Sequence, residues 1–304
     1  MPSPAEGGSD HPERAQPKVR ERGRGGPNER IGRPGADQVE GVGDGAPKRY
    51  RATVEYDGTD FAGFQVNPGK RTVQGTLEDA LARLGDGVVR RVDGAGRTDA
   101  GVHALGQVIG FSYAGRLEVT ELGAALAAIL PRDVAVRDIR PAVERFNPRY
   151  AARYREYRYT IWNGPQSPLR ERMAFGVREP LDTGAMARAA SAFIGRHDFR
   201  AFGTGDRDPV RTVTAIRVGR SGRNVIIDVR AESFLRGQVR RMVGLLIEVG
   251  LGKRDMDAVR AALADPGSTM KPPAAPAKGL CLRHVAFGRG PRTGARTNGE
   301  REQR

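Results

Sequence analysis

Gly94-Ala95-Gly96-Arg97-Thr98-Asp99-Ala100-Gly101-Val102-His103-Ala104 is the stretch on which the reading of this chain turns. Its small residues allow a sharp reversal of the backbone, and its Gly-Arg-Thr-Asp core presents one guanidinium and one carboxylate. Val88 to Val92 reads as a strand entering it and Gln107 to Tyr113 as a strand leaving it. Asp99 is therefore expected on a loop between two strands, where a scaffold can aim a side chain into a cleft. A lone Asp in a Gly-rich loop is most often a turn residue, so the rest of the chain must decide its meaning.

Working outward, Arg51 to Tyr56 alternates as a strand. A helix follows with a stripe of Val73, Leu77, Ala80, Leu81 and Leu84 and with Thr72 as N-cap. After the Asp99 loop comes a helix marked by Leu122, Leu126, Ile129 and Leu130, stopped by Pro131. Asp133 to Ile139 is the next strand. The order is β-α-β-β-α-β, and it recurs. Tyr154 to Trp162 reads as a strand with Tyr157, Tyr159 and Ile161 on one face, and a helix follows with Met186, Ala190, Phe193 and Ile194. Arg211 to Val218 pairs with Asn224 to Ala231 across Arg220-Ser221-Gly222. A helix spans Leu235 to Val249, a short one Met256 to Leu263, and the last strand runs from Leu280 to Phe287. The expectation is an α+β fold of two ferredoxin-like halves, residues 48–150 and 151–288, joined into one mixed or antiparallel sheet with flanking helices and a central cleft. Residues 1–47 and 289–304 lack the apolar content to form a core and read as disordered tails.

Charge narrows the partner. Residues 1–48 hold eight basic and eight acidic residues and residues 289–304 hold five and two, so +12 of the net +15 lies between them. A folded body that basic favours a polyanion; a generally Arg-rich composition is the plainer alternative. Cys281 is the only cysteine, which excludes an internal disulfide, and it reads as a buried thiol in a strand. His11, His103, His197 and His284 show no zinc spacing, so no metal is expected. With no signal peptide and no membrane-length apolar run, the expected location is the cytoplasm.

Three further motifs carry less. Gly94, Gly96 and Gly101 have the wrong spacing for a dinucleotide fingerprint. Asp182-Thr183-Gly184 opens a helix, with Asp182 as its N-cap. Gly41-Val42-Gly43-Asp44-Gly45 falls in a tail. By contrast, Arg236 and Arg240 share one helix face, where either snorkels to solvent or pairs across the cleft with a carboxylate such as Asp99. Such pairing favours the ionised carboxylate, which acts as a nucleophile without a separate base. Tyr159 fits core packing, while Tyr157 stands where an aromatic ring can stack on a nucleobase.

With these elements in order, the chain resembles the tRNA pseudouridine synthase A family from about Tyr50 to Phe287. The strongest likeness is Gly96-Arg97-Thr98-Asp99-Ala100-Gly101-Val102-His103. Glu55-Tyr56-Asp57-Gly58, Phe61-Ala62-Gly63-Phe64-Gln65, Arg158-Tyr159 with Trp162-Asn163, Val239-Arg240 with Met242-Val243-Gly244, and Ala275-Pro276-Ala277-Lys278-Gly279-Leu280 support it. The resemblance implies isomerisation of uridine to pseudouridine at positions 38, 39 and 40 of the tRNA anticodon stem-loop, without a cofactor, by a homodimer whose two subunits share one tRNA. It implies Asp99 as the nucleophile. Arg97 would position the substrate, Tyr157 stack on the uracil, Arg240 pair with Asp99, and Leu280 contact the base. The chain departs from the family at Phe64, where Trp is frequent, and at Gly237-Gln238, which are expected to loosen a helix start. The polar run Gly203 to Asp208 has no matched RNA contact. A tRNA-binding module without catalysis, which would bind with steep salt dependence and isomerise nothing, and a synthase acting at another tRNA position are the rival readings.

Overall fold

The computed structural model describes residues 46–204, 208–265, 267 and 271–288. Apart from Ala46 and Pro47, the expected tails lie outside the described residues. So do the Gly41–Gly45 run and residues 205–207 of the polar run Gly203 to Asp208.

The first half begins with β1 (Lys48–Tyr56), whose alternate residues Tyr50, Ala52, Val54 and Tyr56 are buried. Helix α1 (Val73–Leu84) starts where the Thr72 side chain accepts the Gly75 N–H. It is followed by β2 (Asp93–Gly94), β3 (His103–Tyr113), α2 (Val119–Ile129) and β4 (Val134–Pro141). A short helix, α3 (Pro148–Ala151), is capped by Asn147 with Pro148 in its first turn. The second half contains β5 (Tyr154–Asn163), β6 (Phe175–Val177), α4 (Thr183–Ser191), β7 (Gly195–Asp198), β8 (Val210–Ser221) and β9 (Asn224–Ala231). It closes with α5 (Gln238–Gly250), α6 (Met256–Ala264) and β10 (Leu280–Ala286).

Among the described residues all ten strands form one sheet, ordered β4-β1-β3-β10-β5-β9-β8-β7, with β2 also on β3 and β6 also on β5. In the first half the order is β4-β1-β3-β2 and in the second β10-β5-β9-β8. Each is the fourth, first, third and second strand of its β-α-β-β-α-β unit, so the ferredoxin-like halves are present as expected. They join where β10 runs parallel to β3, with Cys281 opposite His103 and Leu282 opposite Ala104.

The local differences from the sequence reading have identifiable causes. Val88 to Val92 is not a strand. Arg90 grips Asp86 through both oxygens, and the Val92 N–H donates to the Glu78 carboxylate on α1, so this segment is tied to a helix rather than to the sheet. Val88 and Val89 consequently stand exposed. Helix α4 ends before Phe193 because residues 192–194 turn through tighter three-residue bonds into Gly195, whose φ is +116°. Phe193 instead packs with Phe199 and Phe202 in the core. Cys281 is half-buried in β10, and burial raises its thiol to about 11.

Candidate active site

Strand β2 pairs only with Gly110 and Ile109, at the far end of β3. Because β1 occupies β3's other edge, β2 and β10 share the same edge and leave a gap between them. Residues 95–102 leave the sheet at that gap and return to the start of β3 beside β10. The loop bearing Asp99 therefore sits at the seam of the two halves, beside a cleft of about 950 Å³.

The loop is pinned along its length. The Phe64 N–H donates to the Thr98 carbonyl, the Gly101 N–H to Phe61 and the Val102 N–H to Asp99. The Thr98 hydroxyl bonds to the buried Tyr56 hydroxyl at 2.8 Å, and burial holds that phenol well above its usual range. Only glycine fits at position 58, since a Cβ there would lie 2.0 Å from the Val102 carbonyl oxygen. At the loop's end His103 is almost fully buried. Its Nδ1 accepts the Gly58 N–H at 3.0 Å, so its Nε2–H donates to the Lys278 carbonyl at 3.1 Å. Asp57 also comes within 3.1 Å of Nδ1. That contact competes with the Gly58 N–H for the one ring nitrogen.

Across the cleft stands the start of α5. Gly237, with φ +75°, turns the chain into the helix. The buried Gln238 side chain accepts the Leu235 N–H at 2.8 Å through Oε1, while the Gln238 backbone N–H donates to the Leu235 carbonyl. Gly237-Gln238 thus fastens the helix start that the sequence suggested it would loosen, and it delays the first helical turn from Leu235 to Gln238. Arg236 Nε lies 3.5 Å from Asp99 Oδ1 and Arg240 Nη1 lies 3.6 Å from Oδ2. Two cations at the positive end of a helix are unfavourable for the helix alone, and a carboxylate there offsets them. Arg240 is aimed by its Nε bond to the Ala275 carbonyl, 2.7 Å, and the Ala275 N–H returns to the Arg240 carbonyl. Gly244 permits that docking, because a Cβ would meet the Pro273 carbonyl oxygen at 1.9 Å. Arg241 points away to Pro272.

Tyr157 borders the cleft, with its ring edge-on to Phe234 at 5.3 Å. Burial raises its phenol to about 12, with Arg155 pulling down and Asp99 pushing up. Arg97 lies exposed on the rim, and its guanidinium is held below its usual value by desolvation first and then by Arg149 and Arg91. Leu280 forms part of the apolar wall. Tyr159, by contrast, is fully buried and donates its hydroxyl to the Pro276 carbonyl. All five residues singled out by sequence border the same cleft. Arg236, which the sequence paired with Arg240, lines it too, at 3.5 Å from Asp99 against 3.6 Å for Arg240. Gln107 and Arg155, which hold the loop from below, carried no motif.

Chemically, the Asp99 carboxylate is balanced by two guanidiniums at ion-pair distance, and among the described residues its oxygens accept no hydrogen bond. Its lone pairs remain available to an electrophilic carbon or a proton. Aromatic and apolar surfaces beside it suit a planar base, and the cationic rim suits phosphates. No group of three His, Cys, Asp or Glu suited to a metal occurs among the described residues.

The family described as tRNA pseudouridine synthase matches residues 52–151 and 189–288. Those segments contain Arg97, Asp99, Arg240 and Leu280; Tyr157 falls between them. The chain is 41% identical over 245 residues to tRNA pseudouridine synthase A of Pelobacter propionicus, covering 79% of this chain and all of that protein. It is 42% identical over 244 residues to the protein of that name from Geobacter sulfurreducens, with the same coverage. The archaeal box H/ACA sRNP Nop10-Cbf5 complex aligns over 65% of this chain and 44% of that one at 14% identity, with a TM-score of 0.28.

Proposed function

The chain belongs to the tRNA pseudouridine synthase family, isomerases that act on uridine in tRNA, and from that premise we propose that Asp99 is the nucleophile of the reaction. The observation that carries this reading is the Asp99 carboxylate at the seam of the halves, facing Arg236 and Arg240 at 3.5 and 3.6 Å. Isomerisation breaks the N1–C1′ bond, turns the uracil and joins C5 to C1′. Redox state is unchanged and the C5 proton is released, so no cofactor is needed for the balance. The carboxylate attacks C1′, adds to C6, or takes the 2′ proton to form a glycal.

The target uridine leaves its stack and enters the cleft, where Tyr157 and Leu280 supply the walls for the ring. Arg97, on the cationic rim with Arg149 and Arg91, engages the RNA and holds the site open. Arg240 pairs with the carboxylate and orients it. On the strength of the resemblance we extend the proposal to positions 38, 39 and 40 of the anticodon stem-loop. The same resemblance extends it to a cytoplasmic homodimer in which one tRNA spans both subunits and to halves divided at residues 48–150 and 151–288. Size-exclusion with light scattering checks the dimer.

The test of the reaction uses unmodified tRNA carrying tritium at uridine C5. Wild-type protein is expected to release tritium and Asp99→Asn is not. Undiminished release by Asp99→Asn would overturn the assignment.

A further inference from the structure

Two buried polar side chains grip the root of the Asp99 loop, one from each half. Gln107 on β3 is fully buried. Its Nε2–H donates to the Gly96 carbonyl at 2.6 Å and its Oε1 accepts the Gly96 N–H at 3.3 Å. This amide supplies the paired donor and acceptor that a strand neighbour would provide, two residues past the end of β2. Ala95 beside it keeps a backbone bond from its N–H to the Val108 carbonyl.

Arg155 reaches the same place from β5. It is 7% exposed, and its planar fork is spread over carbonyl oxygens of three segments. Nε and Nη2 donate to Ala95 at 3.2 and 2.7 Å, Nη2 also to Arg149 at 2.6 Å, and Nη1 to Glu232 at 2.5 Å. Each segment makes a wall of the cleft: the loop itself, α3 with Arg149 and Tyr150, and the stretch from Ser233 to Arg236 that carries one of Asp99's partners. One guanidinium therefore sets the spacing of three walls. A buried cation is a costly way to gain stability alone, because apolar residues of similar volume commonly do as well. Its return here is geometric.

We propose that Gln107 and Arg155 are positioning residues that fix the Asp99 carboxylate against the bound nucleotide by clamping the peptide groups of Ala95 and Gly96. This rests on reading Asp99 as the reacting group. RNA affinity comes from cations spread over the basic body, so loosening the clamp leaves binding in place. The chemical step, by contrast, depends on sub-ångström placement of one carboxylate.

The test compares Arg155→Lys, which keeps the charge but loses the fork, with Gln107→Met, which keeps the volume but loses the amide. In single-turnover tritium release each is expected to slow the reaction about 10- to 100-fold, the scale set by a displacement of roughly 1 Å. Affinity for tRNA is expected to stay within about threefold of wild type, since phosphate contacts carry it. In Arg155→Ala, millimolar guanidinium is expected to restore part of the rate and methylammonium is not. Wild-type rates in both variants, or a loss no larger than the loss of folded protein, would overturn the proposal. So would rapid hydrogen exchange of the Gly96 amide in the wild-type protein, which the clamp requires to exchange as slowly as the β3 amides. If wild-type protein itself releases no tritium, or Asp99→Asn releases it undiminished, the role of Asp99 falls and the clamp falls with it. If Asp99→Asn is inactive while both clamp variants are normal, the clamp alone falls.

Discussion

Strands β2 and β8 hold the same place in their halves, each on the outer edge of its unit's third strand, yet β2 has two residues and β8 has twelve. The long strand closes into a tight hairpin, with Ser221 opposite Asn224 and only Gly222 and Arg223 between them. The short one opens into residues 95–102. Because β2 covers only one end of β3, the other end is free for β10, and the two sheets become one. A repeated fold thus opens a cleft where one copy of a strand is cut short. The intact copy has β7 on its outer edge.

The strongest way to break this comparison is to remove the group that the short strand exposes. Asp99→Asn is expected to lower the single-turnover rate by about 10⁴-fold, the scale of losing a nucleophile, with the unfolding transition unmoved. Arg240→Met removes the partly buried cation and its bond to Ala275. A loss of about 10²-fold is expected, comparable to losing one preorganised charge contact, and rapid-quench kinetics would read it. A rate within twofold of wild type would show that the α5 start is not part of the site.

Seam burial also leaves a pH signature. Tyr157 titrates from about 10 in the unfolded chain to about 12 in the fold, and Tyr56 and Tyr159 shift the same way through desolvation. The folded state therefore retains protons that the unfolded state loses. Stability is full below pH about 10 and falls as pH rises through about 12. Denaturant midpoints between pH 9 and 11.5 would show the fall, and Tyr157→Phe should make it shallower. Arg236, at 79% exposure, is screened by solvent, so Arg236→Ala is expected to cost less than about threefold. Smallest of all, Arg223→Ala in the β8–β9 turn should change activity less than about twofold, as exposed turn residues do.

The elements that could be read in the sequence were those whose chemistry is local. Thr72 and Asp182 cap their helices through hydroxyl and carboxylate bonds three residues on, and β5 alternates because one face is buried. The misplaced β2 strand depended on Glu78, a carboxylate fourteen residues away that takes the Val92 N–H. Strands β6 and β7, of three and four residues, are too short to show a period and exist because longer neighbours pair with them. At the site, Asp99 and Arg240 stood in recognisable motifs. Gln107 and Arg155 did not, because a buried polar residue looks like a solvent-facing one. In β3 the hydropathy is even inverted, with Leu105 exposed and Gln107 enclosed.

The central claim is that the loop left open by β2 performs the isomerisation through Asp99. Its most direct test maps pseudouridine by sequencing in tRNA from cells lacking this protein and supplied with wild-type or Asp99→Asn chain at equal levels. Pseudouridine at positions 38, 39 and 40 is expected to return with wild type and to stay absent with Asp99→Asn. Restoration of those sites by Asp99→Asn would contradict the account.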